Sequence, residues 1–398
     1  VEIADTPIVG IYHADMYLMP GALDFVVKHI APLSVVSLTR IEPPLHPDGP
    51  EKILMDFGIE PEEFKENELL EWFKDVQMNQ ATKQTEGIFA PWFMFKEDFT
   101  SIGGHDPLYA PQSKEDTDIF NRFHLNGYKF IQTWGGCVYH MTCRGSRFAD
   151  GAERNPNGEV FMKNRETDEW LTQNIRSTRN FLRKWGHYCK HDTLMKPIVP
   201  PKFNTQFIIS NGNEDILKAL EPWCDNINID LPQDVIDAYI KGEQPDTEFD
   251  LGKRINQNIE CDIQIEFDAT RVTQQSYTWL TQLSEILDSN DLEVGSFELD
   301  IFNIKVNRLK TYENSSPVSI LHYEPQIVAL GAALKTYDKY FFDVVGRGIP
   351  LYFNLLKNGL VSHEVQEKLN NSLLHYNARL LTLRYTALFI SKGTEKSL

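Results

Sequence analysis

The sequence predicts an α/β protein with a mixed α/β part over residues 1–200, a smaller α+β part over 201–312 and a helical region over 313–398. Three observations predict it. Strand-like and helix-like runs alternate through the first part. Acids then accumulate: 21 Asp and Glu stand against 5 Lys and Arg between Asn211 and Asn303, within a chain whose formal charge is −18. Past that stretch, apolar residues recur at helical spacing.

The elements follow in order. Ile8 to Tyr12 is a short apolar strand that leads to the acid Asp15. Gly21 to Ile30 suits a helix opened by Pro20. Glu60 to Gln77 is a helix started by Pro61, with acids in its first turn. Thr117 to Leu125 is a helix that stops at Asn126-Gly127. Lys129 to Gln132 and Cys137 to Tyr139 read as two strands, and Asp168 to Trp185 as an amphipathic helix with Lys and Arg toward its end. The PIVPP stretch at 197–201 reads as a linker. In the second part, Phe203 to Ser210, Asp262 to Phe267 and Phe297 to Leu309 have strand character. Glu214 to Leu220, Gln233 to Lys241 and Gln274 to Asp288 have helix character. In the third, Ile327 to Phe342 and Ser362 to Phe389 are helical, and core packing is the favoured role of their apolar faces. An oligomer built through these C-terminal helices, or contact with a membrane surface, is the alternative.

Composition narrows the function. An apolar content of 41% with 12% aromatics belongs to a folded chain, and no apolar run is long enough to cross a membrane. No basic, apolar leader opens the sequence. The acidic balance argues against nucleic acid as a partner. Five irregularly spaced cysteines (Cys137, Cys143, Cys189, Cys224 and Cys261) make a disulfide framework improbable and predict a reducing, cytoplasmic setting. His187, Cys189 and His191 imitate a metal motif, but a turn after a helix is the better reading. The carboxylates of the second part read as a solvated face rather than a calcium loop.

The chemistry-bearing residues lie in the first part. Asp15 ends one strand and His140 another, and both residue types bind Mg²⁺ or Mn²⁺. Such a cation would neutralise charge building on a diphosphate leaving group. Asp116, at the start of a helix, is placed to take the proton of an attacking hydroxyl. Glu115 beside it would orient the acceptor, and Gly103-Gly104 would let backbone approach a sugar closely. The reading requires the side chains at 15, 116 and 140 to meet around a cation-sized gap.

Three stretches carry a resemblance to a known family. APWFMFKEDFTSIGGHDPLY resembles its aromatic strand and Gly-Gly-x-Asp turn. KEDTDIFNRFHLNGYKF resembles its acidic motif and following helix, also found in galactosyltransferases that carry Glu-Asp-Asp-Asp-Ile-Phe-Asn-Arg. VYH resembles its late metal-binding histidine, and HADMY occupies the place of its Asp-x-Asp metal motif. From about Ile8 to Arg147 the chain thus resembles the later part of a family 2 glycosyltransferase, whose GT-A fold is a Rossmann-like mixed sheet.

The resemblance implies Asp15 and His140 on the metal, with His13 standing where the family has the first acid of its motif, as a metal or ribose ligand. It implies Asp116 as catalytic base and Glu115 on the acceptor, with Gly103, Gly104, Asp118 and Arg122 lining the substrate pocket. It further implies inversion by a single displacement, a nucleotide-sugar donor (most often a UDP-sugar), and a glycan, lipid or protein acceptor. The family's first βαβ units would precede residue 1, so this chain is expected to be the later portion of a longer enzyme. A non-catalytic carbohydrate-binding or scaffold protein derived from the same fold is the competing reading. A metal-dependent phosphohydrolase is a third, which lacks a second cluster of ligands.

Overall fold

The computed structural model describes residues 1, 4–44, 48–141, 153–154, 160–161, 166–288 and 293–309. The helices expected at 327–342 and 362–389 lie outside them. Two mixed sheets organise the described residues.

The first sheet contains strands β1 (Ile8–Ile11), β2 (Met16–Leu18), β3 (Ser34–Glu42), β4 (Lys52–Leu54), β5 (Gln84–Thr85), β6 (Trp92–Phe95) and β7 (Lys129–His140). Its main order is β1-β6-β3-β7-β2, with β4 on β3 and β5 on β7. β3 and β7 run parallel, β6 runs antiparallel to both β1 and β3, and β2 runs antiparallel to β7. Helices α1 (Ala22–His29), α2 (Glu66–Gln80), α3 (Lys96–Ser101) and α4 (Glu115–Leu125) clothe it. One face packs on α1, α3 and α4 through Val26, Phe99, Ile119 and Phe123. The other packs on α2 through Leu69 and Phe73.

That double covering explains the element the sequence pattern misses. All nine residues of β3 are buried, so it shows no alternation of apolar and polar positions. Its polar side chains find partners inside: Ser37 donates to the Gly87 carbonyl at 3.2 Å and Thr39 to that of Thr133 at 2.9 Å. The two strands expected at 129–132 and 137–139 are one strand, β7. Its register against β3 jumps from Leu38↔Thr133 to Thr39↔Cys137. Trp134-Gly135-Gly136 forms the irregularity, and a Cβ on Gly135 would stand 2.2 Å from the Phe25 ring of α1. Glycine is what permits that approach. The helix expected from Glu60 begins at Glu66, because Pro61–Glu63 forms a separate short turn and Lys65 donates its N–H to the Phe57 carbonyl.

A ribbon of β8 (Glu153–Arg154) and β9 (Val160–Phe161) precedes α5 (Asp168–Trp185). Thr167 caps α5 by accepting the Trp170 N–H, and Gly186 ends it in the left-handed region.

The second sheet has the order β11-β10-β12-β14-β13. Its strands are β10 (Thr205–Ser210), β11 (Asn226–Ile229), β12 (Ile263–Asp268), β13 (Gly295–Leu299) and β14 (Phe302–Val306). β10, β11 and β12 are parallel, while β13 and β14 form an antiparallel hairpin where one strand was expected. Asp300, in the left-handed region, lies in the turn between them. Helices α6 (Glu214–Leu220), α7 (Gln233–Glu243), α8 (Gln274–Thr281) and α9 (Leu283–Leu287) complete this part, the last two replacing a single expected helix. α5 ties it to the rest: Arg183 of α5 and Arg254 both grip the buried Glu221 carboxylate, at 2.6 Å and 2.8 Å.

Candidate metal centre

Three strands carry the centre. His13 and Asp15 occupy the bend between β1 and β2, and His140 is the last residue of β7. β2 pairs with β7 so that Met16 stands opposite His140, and the Met141 N–H donates to the Asp15 carbonyl at 3.0 Å. The Asp15 carboxylate thereby reaches 3.4 Å from His140 Nε2. One ligand atom each from His13, Asp15 and His140 lie within 4.8 Å of one another. Small side-chain rotations would close that spacing on a cation with ligands at about 2.1 Å. Two imidazoles and a carboxylate suit a divalent transition metal.

The other side of His140 is held as well. β3 and β7 run side by side with Ile41 opposite Tyr139, so the next residues, Glu42 and His140, meet. His140 Nδ1 and Glu42 Oε1 are 2.8 Å apart. Arg40 donates to the same oxygen at 2.8 Å, Lys52 stands 3.4 Å from Oε2, and the Arg40 guanidinium lies over the Phe89 ring.

The electrostatics follow from these contacts. Burial pushes His13 below the usual imidazole range, and His140 adds to that, which leaves a lone pair free to bind. Burial opposes the charge on Asp15, but the hydrogen bond and charge of His140 outweigh it and hold the carboxyl below its usual range. Burial likewise opposes the charge on Glu42, and the bond from His140 with the charge of Arg40 wins, bringing it down to about 2. An ionised carboxylate only accepts, so Nδ1 of His140 carries the proton and Nε2 faces Asp15. Burial lowers His140, yet the bonds to Asp15 and Glu42 raise it above the usual range. A proton or a cation between Nε2 and Asp15 satisfies both groups.

Asp116 is not part of this cluster. It stands at the start of α4 with Oδ1 3.8 Å from His105 Nε2. That distance is too long for a hydrogen bond, and among the described residues neither His105 Nε2 nor Glu115 Oε2 has a hydrogen-bond partner. Burial, with the Glu115 charge second, raises Asp116 to about 7. Burial also raises Glu115. The expected meeting of 15, 116 and 140 around one gap is therefore not found: Asp15 and His140 come together with His13, and Asp116 lies outside that group, beside His105.

Asp118 and Arg122, expected in a substrate pocket, are instead wholly interior. Arg122 binds Asp118 at 2.8 Å and donates to the carbonyls of Ile102 and Gly104. Lys184 of α5 reaches Asp118 at 2.7 Å, and the Trp185 N–H donates to it at 2.9 Å. With every strong contact used internally, the pair locks α4 to α5 and to the turn after α3. Gly103 and Gly104 form that turn, with φ of 89° and 64°. Their N–H groups donate to the Thr100 and Phe99 carbonyls, so the need for glycine here is conformational.

Glu42, Arg40 and His105 escaped the sequence reading. His105 carried a signal, as a histidine directly after Gly-Gly, whereas Arg40 and Glu42 end a run whose burial only the structure shows. No protein-family model matches this sequence, and no curated protein matches it significantly. Among the described residues, no helix is long and apolar enough to cross a membrane.

Proposed function

We propose that this chain is a GT-A-like, metal-dependent inverting glycosyltransferase. The observation that carries the reading is the cluster of His13, Asp15 and His140 at neighbouring strand ends. The sequence likeness of HADMY, KEDTDIF and VYH, two of which supply these same residues, to the family's motifs is its second support.

A divalent cation held there would neutralise charge on the diphosphate of a nucleotide-sugar. His13, Asp15 and His140 would hold it. Asp116 takes the proton of the acceptor hydroxyl as the new bond to the anomeric carbon forms. The old bond breaks on the opposite face, its electron pair leaves with the diphosphate, and configuration inverts. A carboxyl near 7 suits this work, since it is partly ionised at neutral pH and basic enough to accept a proton. Glu115 and His105, with unpartnered polar atoms beside Asp116, supply hydrogen bonds for acceptor hydroxyls.

The test is transfer or slow hydrolysis of UDP-sugars with Mn²⁺ by the full-length protein. Asp15→Asn should abolish metal dependence, and Asp116→Asn should reduce turnover by about 10²–10⁴-fold. Sugar binding without turnover in the unmutated protein would favour the scaffold reading, and phosphate release from simple esters would favour a phosphohydrolase.

A further inference from the structure

Glu42 is the group the established contacts leave without a role. It ends a strand buried along its whole length, where an ionised side chain is costly unless something is gained. Its side chain is 1% exposed, so it meets neither solvent nor a ligand directly. It is nevertheless built in with care. Arg40 donates to it at 2.8 Å and Lys52 stands at 3.4 Å, so two cations keep it a carboxylate. Arg40 is itself fixed, between the Phe89 ring and the Glu51 carboxylate. The one neighbour of Glu42 in the cation cluster is His140, through Nδ1 at 2.8 Å.

An imidazole that is to bind through Nε2 must carry its proton on Nδ1 and must not rotate away. A carboxylate accepting from Nδ1 does both, and also makes Nε2 a stronger donor. Strand register gives the contact its rigidity, because Glu42 and His140 end adjacent parallel strands.

We propose that Glu42 is a positioning residue for the cation site: it holds His140 in the Nδ1–H form with Nε2 directed at the space shared with Asp15 and His13. The proposal rests on the cation reading above and deepens it. Arg40 and Lys52 keep Glu42 ionised and touch no ligand of the cation.

The test uses Mn²⁺ alone, without donor or acceptor. Free Mn²⁺ is read by electron paramagnetic resonance during titration of the unmutated protein, Glu42→Gln and Glu42→Ala. Glutamine keeps an oxygen that can accept from Nδ1 and should bind within a few-fold of the parent. Alanine should bind about 10–100-fold more weakly. Because alanine strands the Arg40 charge, the double variant Arg40→Leu/Glu42→Ala is measured beside it, with circular dichroism reporting folding in EDTA. The ¹⁵N shifts of His140 in the metal-free protein, recorded above the pH at which the ring gives up the proton it shares with Asp15, give a second readout, which a purely structural role would not move. They should report Nδ1–H in the parent and in glutamine, and a mixture of tautomers in the double variant. If that folded variant binds Mn²⁺ as the parent does, with an unchanged His140 tautomer, Glu42 has no positioning role. If the parent itself binds no Mn²⁺, the cation reading fails and the role of Glu42 falls with it.

Discussion

Replacing Asp116 with Asn should stabilise the protein at alkaline pH while removing the proposed base. The ordinary carboxyl value is 3.8, and in the folded chain burial raises it to about 7. The folded state therefore keeps a proton that the unfolded chain gives up across this window. Stability falls as pH rises through the window and is constant beyond it. At about 1.4 kcal/mol per unit, the whole shift would amount to a ceiling of about 4 kcal/mol. Since 28% of the side chain is exposed, solvent screening reduces the expectation to about 1–3 kcal/mol. Asparagine has nearly the same shape and no charge to desolvate. Its effect on Glu115, which is also raised by burial, has the same sign, because the variant removes a neighbouring negative charge.

The assay is thermal unfolding of the two proteins across a pH series. Near pH 8 the variant should melt about 3–9 °C higher, and near pH 4 the two should melt together. A lower melting point for the variant at pH 8, or a difference that ignores pH, would refute the reasoning, since the carboxyl would then be well solvated. A gain of stability on loss of a buried charge is a general mark of groups held in a costly state.

Two further outcomes test the frame around the site. Asp118→Ala removes the shared partner of Arg122 and Lys184, both fully buried, so it should cost about 3–5 kcal/mol in denaturant unfolding; a loss below about 1 kcal/mol would mean the network is not closed as described. Gly58→Ala places a methyl 2.5 Å from the Glu63 carbonyl oxygen at a φ of 106°, so it should cost about 2 kcal/mol or more in the same assay, and a neutral result would show that this turn relaxes freely.

Much of the frame was legible from sequence, and the misses share a cause. α4, α5 and α6 lie close to where caps and apolar spacing put them, because each turns one apolar stripe to the core and ends on a recognisable signal. β3 was illegible because burial on both faces erases alternation, and its Ser, Thr, Arg and Glu look like loop residues until their partners are known. β7 looked like two strands because its glycine pair serves the packing of α1 rather than a turn. For the site, Asp15, His13 and His140 were readable as residue types at strand ends. Glu42 was not, since its role depends on a register that brings it to His140, 98 residues away. Asp118 and Arg122 misled because an acid and an arginine four positions apart on a helix look alike whether they face a pocket or a core.

The charges around the metal centre add a further step to the proposed chemistry. Asp15, Glu42 and Glu51 supply three negative charges against the two positive charges of Arg40 and Lys52. With both imidazoles neutral the group carries one excess negative charge. A proton shared between His140 and Asp15 cancels it, which accounts for the upward shift of that ring. A divalent cation held by His13, Asp15 and His140 would displace the proton and turn the excess into one positive charge, in a setting too dry for solvent to screen it well. On the proposed reading, cation binding would release a proton and make the centre attractive to a diphosphate. On the proposed reading this fixes an order: the cation precedes the nucleotide-sugar. The balance depends on Arg40 and Lys52 remaining paired to Glu42 and Glu51, so the salt network behind the ligands sets the sign of the field in front of them.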